Sequence, residues 1–181
     1  INPVYENLHS PKTMKDIALA VNIIKRKIQE KKKIRIIGDY DVDGIISVFI
    51  LYTALKECGA NVDYEIPDRI KDGYGINENI VKTAYDEDVD TIITCDNGIS
   101  AIDQIQYAKN LGLTVIVTDH HDVPFIEEDD ERKYIVPNAD FVLNPKQEEC
   151  EYKFDKICGA TVAYKFVECL YEEFNIKKEE L

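Results

Sequence analysis

Five short apolar runs punctuate the chain, at residues 34–37, 62–66, 91–95, 114–117 and 141–143. Each is too brief for a helix, and most are dominated by Ile, Val and Thr, as in strands of a covered sheet. Between them, apolar positions recur every three to four residues at about 45–58, 77–85, 101–111 and 160–174. That spacing is helical, and Gly59 and Gly112 stand where helices stop. An earlier segment, 14–31, carries Ile17, Val21, Ile24 and Ile28 on one helical face. Strand and helix alternate, which predicts an α/β fold: a mostly parallel sheet of about five strands with helices on both faces. Segment 122–138 breaks the rhythm with the acidic run 127–131 and with Pro124 and Pro137. It is expected to be a solvated loop without chemistry of its own.

With 181 residues, 45% of them hydrophobic, the chain can bury one sizeable core, so a single domain over 1–181 is expected. No run approaches the roughly eighteen apolar residues of a membrane span, and residues 1–10 lack the order of a signal peptide. A cytoplasmic protein without membrane contact is the expectation. Cys58, Cys95, Cys150, Cys158 and Cys169 form neither a CxxC pair nor a zinc-finger spacing, so reduced thiols are expected. A net charge of -13 argues against a freestanding nucleic-acid binder, because phosphate neutralisation by Lys and Arg supplies most non-specific affinity.

In an open parallel sheet, ligands collect beyond the carboxyl ends of the strands. Three of those ends here are rich in groups that bind metals. The first reads Gly38-Asp39-Tyr40-Asp41-Val42-Asp43-Gly44. In extended geometry Asp39, Asp41 and Asp43 share one side of the chain and repel unless a cation sits among them. The same residues also suit an acidic turn with Asp43 capping a helix. The second end reads Cys95-Asp96-Asn97-Gly98, where Asp96 could bridge two metals or simply open a turn. The third reads Thr118-Asp119-His120-His121. It offers two imidazoles for a metal, with Asp119 available to orient a ring, or else two rings on a polar loop. Coincidence of all three ends implies a carboxylate-histidine centre suited to a pair of Mn²⁺ or Mg²⁺ ions and hydrolysis of a phosphate ester. The chain has no Walker-type glycine loop and no G-x-S-x-G elbow, which leaves triphosphate-driven and serine-esterase chemistry without support.

Taken in order, the three strand ends together with Pro67-Asp68-Arg69, Gly73-Tyr74-Gly75, Leu143-Asn144-Pro145-Lys146 and the segment 159–165 resemble the RecJ family of the DHH phosphoesterase superfamily. The resemblance covers nearly the whole chain. It implies metal-dependent phosphodiester hydrolysis, namely a 5′-to-3′ single-stranded-DNA exonuclease of recombination and repair. It implies a metal shell of Asp39, Asp41, Asp43, Asp96 and His120 around two ions, with Asp96 as the bridge. His121 is expected beside the scissile phosphate, and His121, Asp43 and Asp96 to be catalytic. Arg69, Asn97 and Gly98 are expected to bind substrate, with a surface salt bridge as the alternative for Arg69. Gly73 and Gly75 are expected to shape a tight loop near the site.

RecJ-like proteins continue into another Asp-bearing strand end and a DHH-associated domain, and neither has a counterpart before Leu181. The chain is therefore expected to be an N-terminal DHH-domain fragment that meets single-stranded DNA through the full-length protein. Repair or replication proteins are the other expected partners. Two different readings stay open. One is a DHH-family oligonucleotide or cyclic-dinucleotide phosphodiesterase, although those relatives carry a His ahead of the first Asp pair where this chain has Asp39-Tyr40-Asp41. The other is a DHH-like binding module that has lost catalysis. A flavodoxin or Rossmann domain, suggested by the α/β pattern alone, lacks a G-x-G-x-x-G motif.

Overall fold

A computed structural model describes residues 8–70, 73, 75–128 and 131–177. Five parallel strands form the central sheet: β1 (Lys33–Ile37), β2 (Asn61–Glu65), β3 (Thr91–Cys95), β4 (Thr114–Thr118) and, numbered seventh in chain order, β7 (Phe141–Leu143). Their spatial order is β2-β1-β3-β4-β7. From β1 the chain first steps outward to β2, then crosses back to β3 on the other side. That reversal leaves a crevice between the carboxyl ends of β1 and β3.

The period of two along each strand divides the core. Ile34, Ile36, Ile93, Cys95, Ile116 and Leu143 face one side, against α1 (Ile17–Gln29), α2 (Val42–Glu57) and α5 (Gly159–Phe174). Ile37, Ile92, Val115, Val117 and Val142 face the other, against α3 (Glu78–Asp86) and α4 (Ile102–Asn110). Both faces are covered, as the alternation of elements predicts. Among the described residues no helix is long and apolar enough to cross a membrane.

Two local expectations need correction. The first helix does not run from residue 14. A 3-10 turn, Pro11–Thr13, comes first, Asp16 takes a left-handed conformation (φ 66°), and α1 begins at Ile17. The second concerns the acidic segment. Within 122–138 lies an antiparallel hairpin of β5 (Phe125–Glu128) and β6 (Glu131–Tyr134). Its paired residues explain it: Phe125 meets Tyr134 edge-to-face at 5.8 Å, and the Arg132 guanidinium lies over the Phe125 ring at 4.4 Å. Cross-strand contacts of this kind hold a hairpin even when every strand residue is exposed, as here. Asp129 and Asp130, the middle of the acidic run, lie outside the described residues.

Between β1 and the edge strand β2, one ion cluster carries stability and touches no part of the site. Arg35, only 7% exposed, donates to both Asp63 oxygens at 2.8 and 2.7 Å, and to Glu87 at 2.6 Å. Burial works to raise the Asp63 carboxyl, but Arg35 and Lys33 outweigh it and hold the group below its ordinary value. Arg35→Met is expected to cost about 1–3 kcal/mol in urea unfolding at pH 7, the typical worth of bonds to a charged group. A depressed acid contributes stability above its unfolded value and loses it as pH falls through the folded one. The difference between wild type and Arg35→Met should therefore shrink below about pH 4.

Candidate metal centre

Beyond β1 the chain turns instead of staying extended. Asp39 follows the strand and is 2% exposed. Asp41 then caps α2, its carboxylate accepting the Gly44 amide at 2.9 Å. The cap is thus Asp41 and not Asp43, and α2 starts at Val42, so the three carboxylates do not line one side of a strand. A Cβ on Gly44 would lie 2.5–2.7 Å from backbone atoms of Asp39, which explains the glycine. Asp43, in the first helical turn, reaches across to α5. Its Oδ2 accepts the Gly159 amide at 2.7 Å and its Oδ1 the Ala160 amide at 2.8 Å.

Asp96 ends β3 in a left-handed conformation (φ 60°) and is 1% exposed. A non-glycine residue held there is tolerated best by Asp or Asn and is a common mark of a functional turn. Its amide still donates to the Thr118 carbonyl, which keeps the ends of β3 and β4 in register. Asn97 is buried too. Its Nδ2 donates to the Ile37 and Cys95 carbonyls at 3.1 and 2.9 Å, and its Oδ1 accepts the Ile76 amide at 3.3 Å. With both amide hydrogens committed to backbone, Asn97 clips β1, β3 and the 75–76 loop together. Asn97 also lines the cavity beside the carboxylates, where it was expected to meet substrate. Gly98 has φ 112°, and a Cβ there would strike Thr94 Oγ1 at 2.4 Å.

At the end of β4, Asp119 is 1% exposed and organises both imidazoles. Oδ1 accepts the amides of His120 and His121 at 2.7 and 3.1 Å and faces His121 Nδ1 at 2.7 Å. Oδ2 accepts the Ile99 amide at 2.9 Å, tying the third strand end to the second. A carboxylate at Nδ1 places the proton there and leaves Nε2 as the outward nitrogen. The same bond raises the His121 pKa above its ordinary value. From behind, Asn144 donates to the His121 carbonyl at 2.9 Å.

These turns converge. One ligand atom each from Asp39, Asp41 and Asp96 lie within 4.8 Å of one another, and so do one each from Asp96, His120 and His121. Asp96 belongs to both groups. His120 Nε2 is 3.1 Å from Asp96 Oδ1 and 3.5 Å from Asp43 Oδ2, so Asp43 borders the second group. The electrostatics call for a cation. Burial, with Asp43 and Asp41 adding to it, pushes the Asp96 carboxyl up to about 8. Burial likewise raises Asp39, whose Oδ1 is buried and accepts no hydrogen bond from the described residues. A hard divalent ion would satisfy that oxygen and offset the repulsion, so the donor set fits Mn²⁺ or Mg²⁺.

Arg69 is exposed at the rim, with its guanidinium 5.4 Å from the centre of the Tyr40 ring between Asp39 and Asp41. Gly75 has φ 65° and donates its amide to Asp39, while Gly73 (φ 77°) stands in open space. Beside the carboxylates, a cavity of about 390 Å³ is lined by Gly75, Asn97, Gly98, Ser100 and His121 among others. Sequence reasoning missed one contributor, the first turn of α5. A glycine opening a helix, Gly159, was the available signal for a backbone that closely approaches something charged.

Asp119→Asn is expected to loosen the turn that carries His120, whose amide Asp119 holds at 2.7 Å, and to weaken Mn²⁺ affinity about 10- to 100-fold, as for lost groups behind metal ligands. Calorimetric titration would measure it.

An open, doubly wound α/β domain with carboxylates and histidines gathered at three strand ends across its switch point is a scaffold whose donors could hold metal ions. Residues 33–181 match the model of the DHH family, N-terminal domain, and the chain belongs to that family. Over 167 residues it is 38% identical to the single-stranded-DNA-specific exonuclease RecJ of Bacillus subtilis (strain 168), covering 92% of this chain and 20% of the relative. It is 31% identical over 171 residues to the RecJ of Haemophilus influenzae, covering 94% and 28%. It superposes on the crystal structure of exonuclease RecJ bound to manganese with a TM-score of 0.77 at 29% identity, covering 91% of this chain and 39% of that one. The chain thus spans between a fifth and two fifths of these three proteins.

Proposed function

We propose that this chain is the DHH domain of a RecJ-type exonuclease, which hydrolyses phosphodiester bonds of single-stranded DNA from the 5′ end with two Mn²⁺ or Mg²⁺ ions. The observation that carries the reading is Asp96, shared by two ligand groups at the switch point of the sheet. Asp39, Asp41 and Asp96 would hold one ion, and Asp43, Asp96 and His120 the other. Bound there, the ions would supply an activated water and neutralise charge on the phosphoryl oxygens. The chain's own residues supply the rest. Asp119 fixes His121 with Nδ1 engaged and Nε2 outward, where a protonated ring can donate to a phosphate oxygen. Arg69, steadied on Tyr40, presents a planar fork that suits a neighbouring phosphate. Gly98, where a side chain would strike Thr94, lets the backbone turn tightly along the wall of the cavity and meet substrate there.

Similarity to RecJ proteins in Bacillus subtilis and Haemophilus influenzae supports the choice of single-stranded DNA. Five free cysteines suit a reducing cytoplasm, and work alongside repair or replication proteins belongs to the same proposal. The test is a time course of the full-length protein with Mn²⁺ on an oligonucleotide labelled at its 5′ end. Mononucleotides released from the single strand and not from the duplex are expected. Mn²⁺-loaded protein that leaves the single strand intact would overturn the reading.

A further inference from the structure

We infer that the first turn of α5 is a positioning element of the metal centre, in which the Gly159 and Ala160 amides set Asp43 while the missing side chain of Gly159 makes room for Asp96. The inference rests on the proposed metal site and concerns residues that none of the recognised ligand motifs contains.

Each oxygen of Asp43 accepts one backbone amide of α5, at 2.7 and 2.8 Å. Those two bonds fix the carboxylate plane, the Cys158 thiol adds a third, and one lone pair remains for a cation. Oδ2 then lies 3.5 Å from His120 Nε2, on the side where the second ion would sit. Ordinarily the leading amides of a helix go to a capping side chain or to water. In α5 the residue at the cap, Cys158, makes no side-chain capping bond, and the amides go to a carboxylate 116 residues earlier in the chain. The same glycine is pressed against the shared carboxylate. A Cβ on Gly159 would lie 2.5 Å from Asp96 Oδ1 and 2.8 Å from its Cβ and Cγ. Two carboxylates from different strand ends are therefore indexed by one residue of a helix that touches α2 more than any other element.

Two variants separate the functions. Ala160→Pro keeps the helix, since proline is accepted in a first turn, but puts a ring carbon where the amide held Asp43 Oδ1. Gly159→Ala instead drives a methyl group into Asp96. Mn²⁺ titration followed by electron paramagnetic resonance should find two ions on wild type. Ala160→Pro should retain one, with the other weakened about 10- to 100-fold, as for lost groups behind metal ligands. Gly159→Ala should weaken both. Wild-type stoichiometry and affinity in both folded variants would overturn the inference while leaving the metal site standing. A wild type that binds no Mn²⁺ would remove the metal site and this role together.

Hydrogen exchange provides a second readout that needs no metal. Asp43→Ala should speed exchange at the Gly159 and Ala160 amides and leave the later turns of α5 unchanged. Equal rates in both proteins would show that Asp43 does not engage the helix, and would overturn the inference even if the titrations agreed with it.

Discussion

Asp96→Ala should abolish Mn²⁺ binding at both positions and lower the rate of single-strand cleavage by roughly 10³-fold, because the several kcal/mol of charge stabilisation that metal ions lend a transition state convert at about 1.4 kcal/mol per decade. The breadth of the loss is the informative part. Asp39 and Asp41 contribute to one ligand group and His120 to the other, so removing any of them should weaken one ion more than its neighbour. Among the described residues Asp96 alone stands in both groups. Its left-handed backbone, its burial and the methyl-sized gap at Gly159 keep it in that shared position. Calorimetry on Asp96→Ala and His120→Ala would check this. A variant at Asp96 that still took up one ion with wild-type affinity would refute its bridging role.

Much of this arrangement could be read from residue order, for a simple reason. Strands β3 and β7 are buried runs flanked by polar residues, so 91–95 and 141–143 were legible to the residue. The site was legible as three strand ends, because a parallel sheet delivers the residues after its strands to one edge. What escaped depends on contacts distant in sequence. The alternative to a metal ligand for Asp43 was a cap of its own helix, yet Asp41 takes that role and Asp43 also engages the start of α5. Nothing local to residue 43 encodes a partner at 159. Asn97 was expected to meet substrate, and the structural role it adds from the cavity wall, bonding the Ile37 and Cys95 carbonyls, has no local signal. The hairpin of β5 and β6 was hidden for another reason. Its acids promised a solvated loop, while the side-chain contacts that support its ladder are an aromatic pair, a cation over a ring and the Lys133–Glu128 ion pair, too sparse to show as a periodic pattern.

The metal-free protein should reveal the strain of the site through its pH dependence. Asp96 has a carboxyl raised from 3.8 to about 8, chiefly by burial and then by Asp43 and Asp41. For an acid raised on folding, the native state binds the extra proton, so stability is highest below the unfolded value. It falls as pH climbs from about 4 and levels off once the folded group has ionised near 8. Fully buried, a shift of that size would correspond to roughly 5–6 kcal/mol, and screening at the open mouth of the site reduces this to about 2–3 kcal/mol. Asp96→Asn carries no titrating proton. In EDTA its stability relative to wild type should therefore grow steadily between pH 4 and 8 and stay level above, as read by urea unfolding at a series of pH values. Saturating Mn²⁺ should reverse the order, because the ion binds the native wild type and not the variant. A difference that did not vary with pH would mean that the carboxylates are relieved by something other than a cation, and would remove the electrostatic case for the metal centre.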